Sequence, residues 1–186
     1  MAIALFGTSA DPPTIGHQAI LRWLSDNYDL VVVWVSDNPF KSHRAPLTHR
    51  IEMVRVLIQA TDFPRANVEL HPEISHPRTL LTLHMAQQIW PAAHFTLVVG
   101  ADIVPQLPSW YRAQELLAQV ALVVIPRRGY TLTETQLQTI AAHTPQITIA
   151  DLAVPGVSSS SFRDHKDRSG MLPAVLDYID RWGLYE

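Results

Sequence analysis

Six short apolar runs set the terms for this chain. Ala2–Phe6 (AIALF), Leu30–Val35 (LVVVWV), Val68–Leu70, Phe95–Val99 (FTLVV) and Val120–Ile125 (VALVVI) are clear, and Ile147–Ala150 is weaker. Several are almost continuously apolar and rich in valine, where a strand with one wet face would alternate. Such runs fit the strands of a parallel sheet buried on both sides. Between them apolar residues recur at helical spacing: Ile20, Trp23 and Leu24, then Ile51, Val54, Leu57 and Ile58. Near the end Leu172, Val175, Leu176, Ile179 and Trp182 repeat the pattern, with Gly183 as a terminator. Strand and helix alternate, which predicts the α/β class and a doubly wound parallel sheet. No repeat, linker-like shift in composition or charge block divides the chain. Residues 1–186 therefore read as a single domain, with 157–186 as its C-terminal helical part. In such a sheet ligands bind beyond the carboxyl ends of the strands, where strand order reverses. The loops after Phe6, Val35 and Val99 are thus where chemistry is expected.

Composition narrows the classes of function. Hydrophobic residues make up 47% and charged residues 17%, which is enough apolar material for a real core. The absence of cysteine excludes a disulfide scaffold, a zinc ribbon, an iron–sulfur protein and a thiol enzyme. Fourteen Lys+Arg against 17 Asp+Glu give a net charge of -3, which argues against general attraction to nucleic acid or an anionic membrane. A polyanionic substrate would have to be held by a few local cations. Ala2–Phe6 has no basic lead-in and is too short for a signal peptide, and Leu30–Val35 falls far below the ~18 residues of a spanning helix. A cytoplasmic location is expected. Of the nine histidines only His71 and His76 lie close together, and Pro72 and Pro77 interrupt any helix there. Without an HExxH-like spacing no protein-held transition metal is expected, and without G-x-S-x-G no serine acyl hydrolase.

Four segments carry candidate chemistry. Gly7 to His17 follows the first strand, without the GxGxxG of dinucleotide dehydrogenases or the GK[ST] of P-loop NTPases. Pro12 and Pro13 delay the helix to about Thr14. Gly7 permits a sharp turn, Thr8 and Ser9 offer hydroxyl and N–H groups, and Thr14 and His17 share a face at the helix start beside Gly16. Free N–H groups there, with the helix dipole, would favour a phosphate. A plain βα turn fits the same residues. Lys41 and Arg44 follow the second strand and could reach a phosphate chain, or be solvated cations. After the fourth strand, Asp102 of Gly100-Ala101-Asp102 could accept from ribose hydroxyls, and Trp110-Tyr111 could stack a planar ring. A helix-capping Asp and a core Trp are the alternative. Ser158, Ser159 and Ser160 with Arg163 form an anion site if they open a helix, and an ordinary loop if they do not.

Taken together these segments resemble the nicotinate/nicotinamide mononucleotide adenylyltransferases of the nucleotidyltransferase superfamily, the bacterial nicotinate type most of all. The opening motif, G-x-F-[DN]-P-x-[HT]-x-x-H, is matched by Gly7 through His17 with one extra residue near its start and Ala10 at the Phe place. The closing motif, I-S-S-T-x-[IF]-R, is matched by Val157 to Arg163 with Ser160 at the Thr place. Gly100-Ala101-Asp102 matches G-x-D, Leu107 to Trp110 matches Leu-Pro-x-Trp, and Arg78 to Leu83 corresponds to Y-T-x-x-T-L. The resemblance implies a Rossmann-like fold and a reaction of NAD biosynthesis. In that reaction ATP and a pyridine mononucleotide give the dinucleotide and pyrophosphate, by in-line attack of the 5′-phosphate on the α-phosphorus. Mg²⁺ would be held mainly by phosphates and water.

Carried onto this chain, the resemblance gives His17 and Thr14 the ATP phosphates, with Gly7, Thr8, Ser9 and Gly16 around them. Lys41 and Arg163 would neutralise the phosphate chain, helped by Ser158, Ser159 and Ser160. Gly100 and Asp102 would lie against sugar or base, Trp110 on the pyridine ring, and Thr79 at its carboxylate or amide end. Arg78, where the family has an aromatic residue, would favour nicotinate. The partners implied are small molecules, ATP and nicotinate mononucleotide, with neither nucleic acid nor membrane, and a homo-oligomer is compatible. Another transferase of this fold, acting for example on pantetheine phosphate, and a catalytically inactive nucleotide-binding regulatory module are the competing readings. The spatial expectation common to all this is that both ends of the chain converge, bringing His17 and Arg163 to one triphosphate.

Overall fold

The computed structural model describes residues 1–37 and 42–186. β1 (Ala2–Thr8) lies near the middle of the sheet, between β2 (Leu30–Val35) and β4 (His94–Gly100). β3 (Val68–Leu70) flanks β2, while β5 (Ala121–Ile125) and β6 (Ile147–Ile149) extend the other side. The order is β3-β2-β1-β4-β5-β6, and every pair is parallel. All six apolar runs are strands. β1 outlasts its run by two residues because Gly7 and Thr8 keep register with Trp34 and Val35. The order reverses between β1 and β4, so the crevice at their carboxyl ends is the expected ligand position.

The continuous apolar runs resolve into two faces. Ile3, Leu5, Val32, Leu97 and Val124 look one way and pack with Leu80, Leu83, Leu116 and Ile140. These come from α3 (Thr79–Ile89), α4 (Ala113–Leu117) and α5 (Glu134–Ala141). Ala4, Phe6, Val33, Val98, Val123 and Ile125 look the other way. They pack with Leu21 and Leu24 of α1 (Ile15–Asn27) and Met53 and Leu57 of α2 (Leu47–Gln59). Phe162 of α6 (Ser159–His165) and Val175 and Ile179 of α7 (Pro173–Trp182) join the same face. Each of the larger of these side chains stabilises the fold by ~1.5–3 kcal/mol. The sheet's carboxyl edge is therefore a rigid platform for the loops on it.

The helical spacing located α1, α2 and α7, and the Ser-rich segment located α6. Helices α3, α4 and α5 carry weaker signals. α3 (TLLTLHMAQQI) is apolar on more than one face, α4 is five residues long, and α5 buries only Ile140.

Candidate active site

The loop after β1 is organised by its own side chains. Thr14 is the N-cap of α1 and 2% exposed, and its backbone N–H donates to His17 Nδ1 at 3.0 Å. The other ring nitrogen, Nε2, lies 2.9 Å from Thr8 Oγ1, and Ala10 N–H donates to that same oxygen at 3.2 Å. Both nitrogens of His17 are thus engaged within the chain. Burial, and then the nearby Arg127 guanidinium, lower its pKa to about 4. His17 is neutral at pH 7. Ala10 sits at φ +45°, a left-handed position that costs a non-glycine residue ~1–2 kcal/mol, so the surroundings hold this loop firmly.

The helix start is more occupied than its sequence suggests. Ile15 N–H donates to Gly170 O at 2.9 Å, and the N–H of Thr14 is taken by the imidazole. The Thr14 hydroxyl lies 3.0 Å from His17 Nδ1. Donors expected to stand open for a phosphate are therefore partly spent on protein groups. Gly16 is buried, and a Cβ there would meet Thr14 Oγ1 at 3.3 Å and Val154 Cγ1 at 3.5 Å. Gly7 is required by space: a Cβ would lie 2.4 Å from the Trp34 ring.

The Ser-rich segment docks directly on this loop. Ser159 Oγ donates to Pro12 O at 2.7 Å, and Arg163 Nη1 donates to Asp11 O at 2.5 Å. Arg163 Nη2 donates to Ser160 Oγ at 3.1 Å, while Ser158 caps α6 by accepting from Ser161 N–H. Residues near 160 thus meet residues near 12, as the convergence of the two chain ends requires. Arg44 donates to Arg163 O at 2.7 Å and pairs with Asp164 at 3.1 Å, which draws the loop after β2 to the same place. Lys41 lies outside the described residues.

Two buried charges hold these pieces together. The Asp11 carboxylate, 3% exposed, accepts from Arg44 N–H, Ala45 N–H and the Tyr185 hydroxyl at 2.8, 3.1 and 2.7 Å. Burial first, and then that carboxylate, raise the Tyr185 pKa above the ordinary phenol range. Arg50, 1% exposed, donates to the carbonyls of Ser9, Ser36 and Ala45 and to the Asp37 carboxylate. Its guanidinium thereby ties the loops after β1 and β2 to α2. A buried charge is tolerable only when its donors are satisfied in this way.

On the other side of the crevice, Asp102 accepts from Arg127 Nη1 at 2.6 Å, so its carboxylate is paired. Gly100 is needed beside it, since a Cβ would lie 2.5 Å from Asp102 Oδ1. Trp110 is half-buried against the core, whereas Tyr111 is 43% exposed and carries the Arg78 guanidinium over its ring at 4.2 Å. Thr79 opens α3 next to it. Among the described residues no group of three His, Asp or Glu side chains could hold a metal ion. Asp11 already accepts three donors and Asp102 is paired through Oδ2 with Arg127, which fits a Mg²⁺ ion held mainly by phosphate and water.

Arg127, Asp11, Arg50 and Tyr185 were not among the sequence candidates. Arg127 could have been found by extending the strand-end rule to β5, which it follows by two residues. Arg50 falls in helical step with Met53, Val54 and Leu57, and a charge on an apolar stripe is a signal. Tyr185 has no such signal, because only folding brings residue 185 to residue 11.

A parallel sheet of this order, with a donor-rich crevice at its switch point, is that of a nucleotide-binding α/β protein, and the cytidylyltransferase-like family model matches residues 5–165. A Synechocystis sp. protein named "Probable nicotinate-nucleotide adenylyltransferase" is 39% identical over 100% of this chain and 99% of its own length. The chain belongs to the nicotinate-nucleotide adenylyltransferase family. A Bacillus subtilis protein bearing that family name is 27% identical over 99% of this chain and 98% of its own. The fold matches the Plasmodium falciparum nicotinic acid mononucleotide adenylyltransferase complexed with NaAD, with a TM-score of 0.83 and 22% identity. That match covers 99% of this chain and 97% of the other.

Proposed function

We propose that this chain transfers the adenylyl group of ATP to nicotinate mononucleotide, giving the dinucleotide and pyrophosphate. The observation that carries the reading is the docking of α6 on the β1 loop through Ser159–Pro12 and Arg163–Asp11. It brings Arg163 and the serines at the start of α6 against the loop that carries Thr8, Ser9 and His17, at the sheet's switch point. A 5′-phosphate is already a nucleophile, so no covalent intermediate is needed, and positioning with charge stabilisation supplies the catalysis. The new bond forms between a mononucleotide phosphate oxygen and the α-phosphorus as the bond to the β-phosphate oxygen breaks. The electron pair leaves with pyrophosphate.

Thr8, Ser9, Gly7 and Gly16 line the reacting phosphates, with Thr14 and His17 at the start of α1. Arg163 and Lys41 take the leaving pyrophosphate, with Ser158, Ser159 and Ser160 shaping the α6 side. Gly100 and Asp102 border the sugar, Trp110 the pyridine ring, and Thr79 its carboxylate. Arg78, stacked on Tyr111, favours nicotinate over nicotinamide through its charge. Mg²⁺ would be held mainly by the ATP phosphates and water, and would neutralise phosphate charge there. No described helix is long and apolar enough to cross a membrane. Pyrophosphate release from ATP with nicotinate mononucleotide, nicotinamide mononucleotide or pantetheine phosphate tests the reading in one assay. Turnover with nicotinate mononucleotide is expected. Turnover with pantetheine phosphate alone, or with none of the three, would contradict it.

A further inference from the structure

We propose that Tyr185 is a positioning residue for adenylyl transfer, holding Asp11 and α6 in the arrangement that presents Arg163 to the leaving pyrophosphate. This rests on the adenylyl-transfer reading and deepens it, by giving the segment after α7 a part in turnover.

That segment is shaped to bring one side chain back. Gly183 ends α7 at φ +56°, and Leu184 N–H donates to Ile179 O at 3.1 Å, so the chain turns back over the helix it has just left. Tyr185 follows at φ +67°, a left-handed position that a tyrosine takes only when its surroundings impose it. Three contacts do so. Its hydroxyl donates to Asp11 Oδ1 at 2.7 Å, its ring meets Phe162 edge-on with centroids 5.5 Å apart, and its carbonyl accepts from Lys166 Nζ. Phe162 precedes Arg163 in α6, and Lys166 is the C-cap of that helix. One residue therefore grips the β1 loop and α6 at once.

The grip is felt at Arg163. Its Nη1 donates to Asp11 O at 2.5 Å and its Nη2 to Ser160 Oγ at 3.1 Å. A guanidinium has five N–H groups, so these two bonds aim the planar fork and leave donors for phosphate oxygens. The direction of the Asp11 carbonyl is set through the carboxylate of the same residue. Arg44 N–H occupies Oδ2, while Ala45 N–H and the Tyr185 hydroxyl share Oδ1. Arg44 and Ala45 belong to one loop, so the tyrosine supplies the restraint from a different element. Burial and the neighbouring carboxylate keep the phenol protonated, and it holds Asp11 as a donor. Without that hydroxyl the aspartate is fixed from the β2 side alone, and Arg163 shifts with the carbonyl it is bound to. Misplacing a group that stabilises developing charge slows the reaction without unfolding the protein.

A double-mutant cycle of Tyr185→Phe with Arg163→Ala tests this on dinucleotide formation, each variant first checked for folding by urea denaturation. Tyr185→Phe is expected to lower kcat ~10-fold and to leave the KM for nicotinate mononucleotide within about twofold. The split arises because Arg163 acts on the leaving group and not on the mononucleotide's sugar or ring. In the Arg163→Ala background the same change should alter kcat by less than about twofold. A loss of equal size in both backgrounds, or normal turnover in Tyr185→Phe, would overturn the proposal. Lys166→Met carries the cycle if Tyr185→Phe does not fold, since it frees the tyrosine carbonyl from α6. A loss of about 3-fold confined to chains that keep Arg163 is then expected, and a loss shared by both backgrounds would count against the proposal. Calorimetric titration with inorganic pyrophosphate needs no turnover. Tyr185→Phe should weaken that binding ~5-fold when Arg163 is present and leave it unchanged when Arg163 is absent. Equal weakening in both would refute the coupling. A wild-type chain that forms no dinucleotide would defeat the adenylyl-transfer reading, and the tyrosine's part in turnover with it. The titration would still judge the link from Tyr185 to Arg163 on its own.

Discussion

The two ends of the same sheet are built to opposite rules. At the amino end a groove of about 680 Å³ runs along the starts of β1, β4, β5 and β6, lined by neutral residues such as Tyr28, Thr96, Gln119 and Gln146. His94 is its one titratable side chain apart from Tyr28. At the carboxyl end there is far more organised polarity. Arg50 and Asp11 are buried there with their partners in place, the His17 ring is engaged at both nitrogens, and Arg127 and Arg163 stand at the rim. Room alone does not mark a phosphate site. Donors fixed by a rigid frame do, because their desolvation and ordering costs are met during folding, before a substrate arrives.

The carboxyl end should therefore be fragile and the amino end tolerant. The largest effect is expected for Arg50→Ala, which strands buried carbonyls of Ser9, Ser36 and Ala45 and opens a cavity. Urea unfolding should show a loss of about 3 kcal/mol or more. A loss below about 1 kcal/mol would mean that the buried guanidinium does not hold the loops.

Acid should expose the same asymmetry. A histidine held well below its ordinary pKa makes the unfolded state the better proton acceptor. Stability should therefore fall as pH drops below about 6.5, levelling off near 4, where folded His17 titrates. The loss is on the order of 3 kcal/mol, and unfolding of His17→Asn at several pH values should show a correspondingly flatter curve. His71 has the opposite sign. Burial pulls its pKa down, but bonds to Glu69 and Glu73 at 2.9 and 2.6 Å outweigh that and leave it raised. Its contribution is full below about pH 6.5 and disappears as pH rises through the folded pKa.

Arg163→Ala should cut kcat/KM for dinucleotide formation ~100-fold, or ~2.7 kcal/mol, with the fold intact. Unchanged kinetics in a folded variant would remove α6 from the site. Tyr185→Phe is a milder probe, because the ring keeps its edge contact with Phe162 at 5.5 Å and only the bond to Asp11 is lost. It should cost ~1 kcal/mol in thermal unfolding. Smallest of all, Gln119→Ala in the amino-end groove should leave kcat/KM within about twofold and stability within ~0.5 kcal/mol. A tenfold loss of activity there would erase the contrast between the ends.

How much of this was legible before folding follows from the range of each interaction. Valine-rich runs announce buried parallel strands, so all six strands and their crevice could be read directly. Thr14 as a cap and Ser158 opening a helix are local events, and both hold. Polarity across long separations was hidden. Nothing near Asp11 reports that Tyr185 will donate to it, and nothing near Asp102 reports that Arg127 will pair with it. Even within the opening motif, Thr8 and His17 could be named but not their mutual arrangement. The tautomer depends on a backbone N–H whose direction only the folded turn defines. Helix α5 was missed for a related reason, since a helix that buries one isoleucine has almost no apolar period to detect.

A crystal structure with the product dinucleotide bound would test the central claim most directly. The account predicts the bridging phosphates at the carboxyl ends of β1 and β4, with an oxygen within hydrogen-bond distance of Thr8 Oγ1 and another near the Arg163 guanidinium. Dinucleotide seated in the amino-end groove, or phosphates touching neither residue, would contradict it.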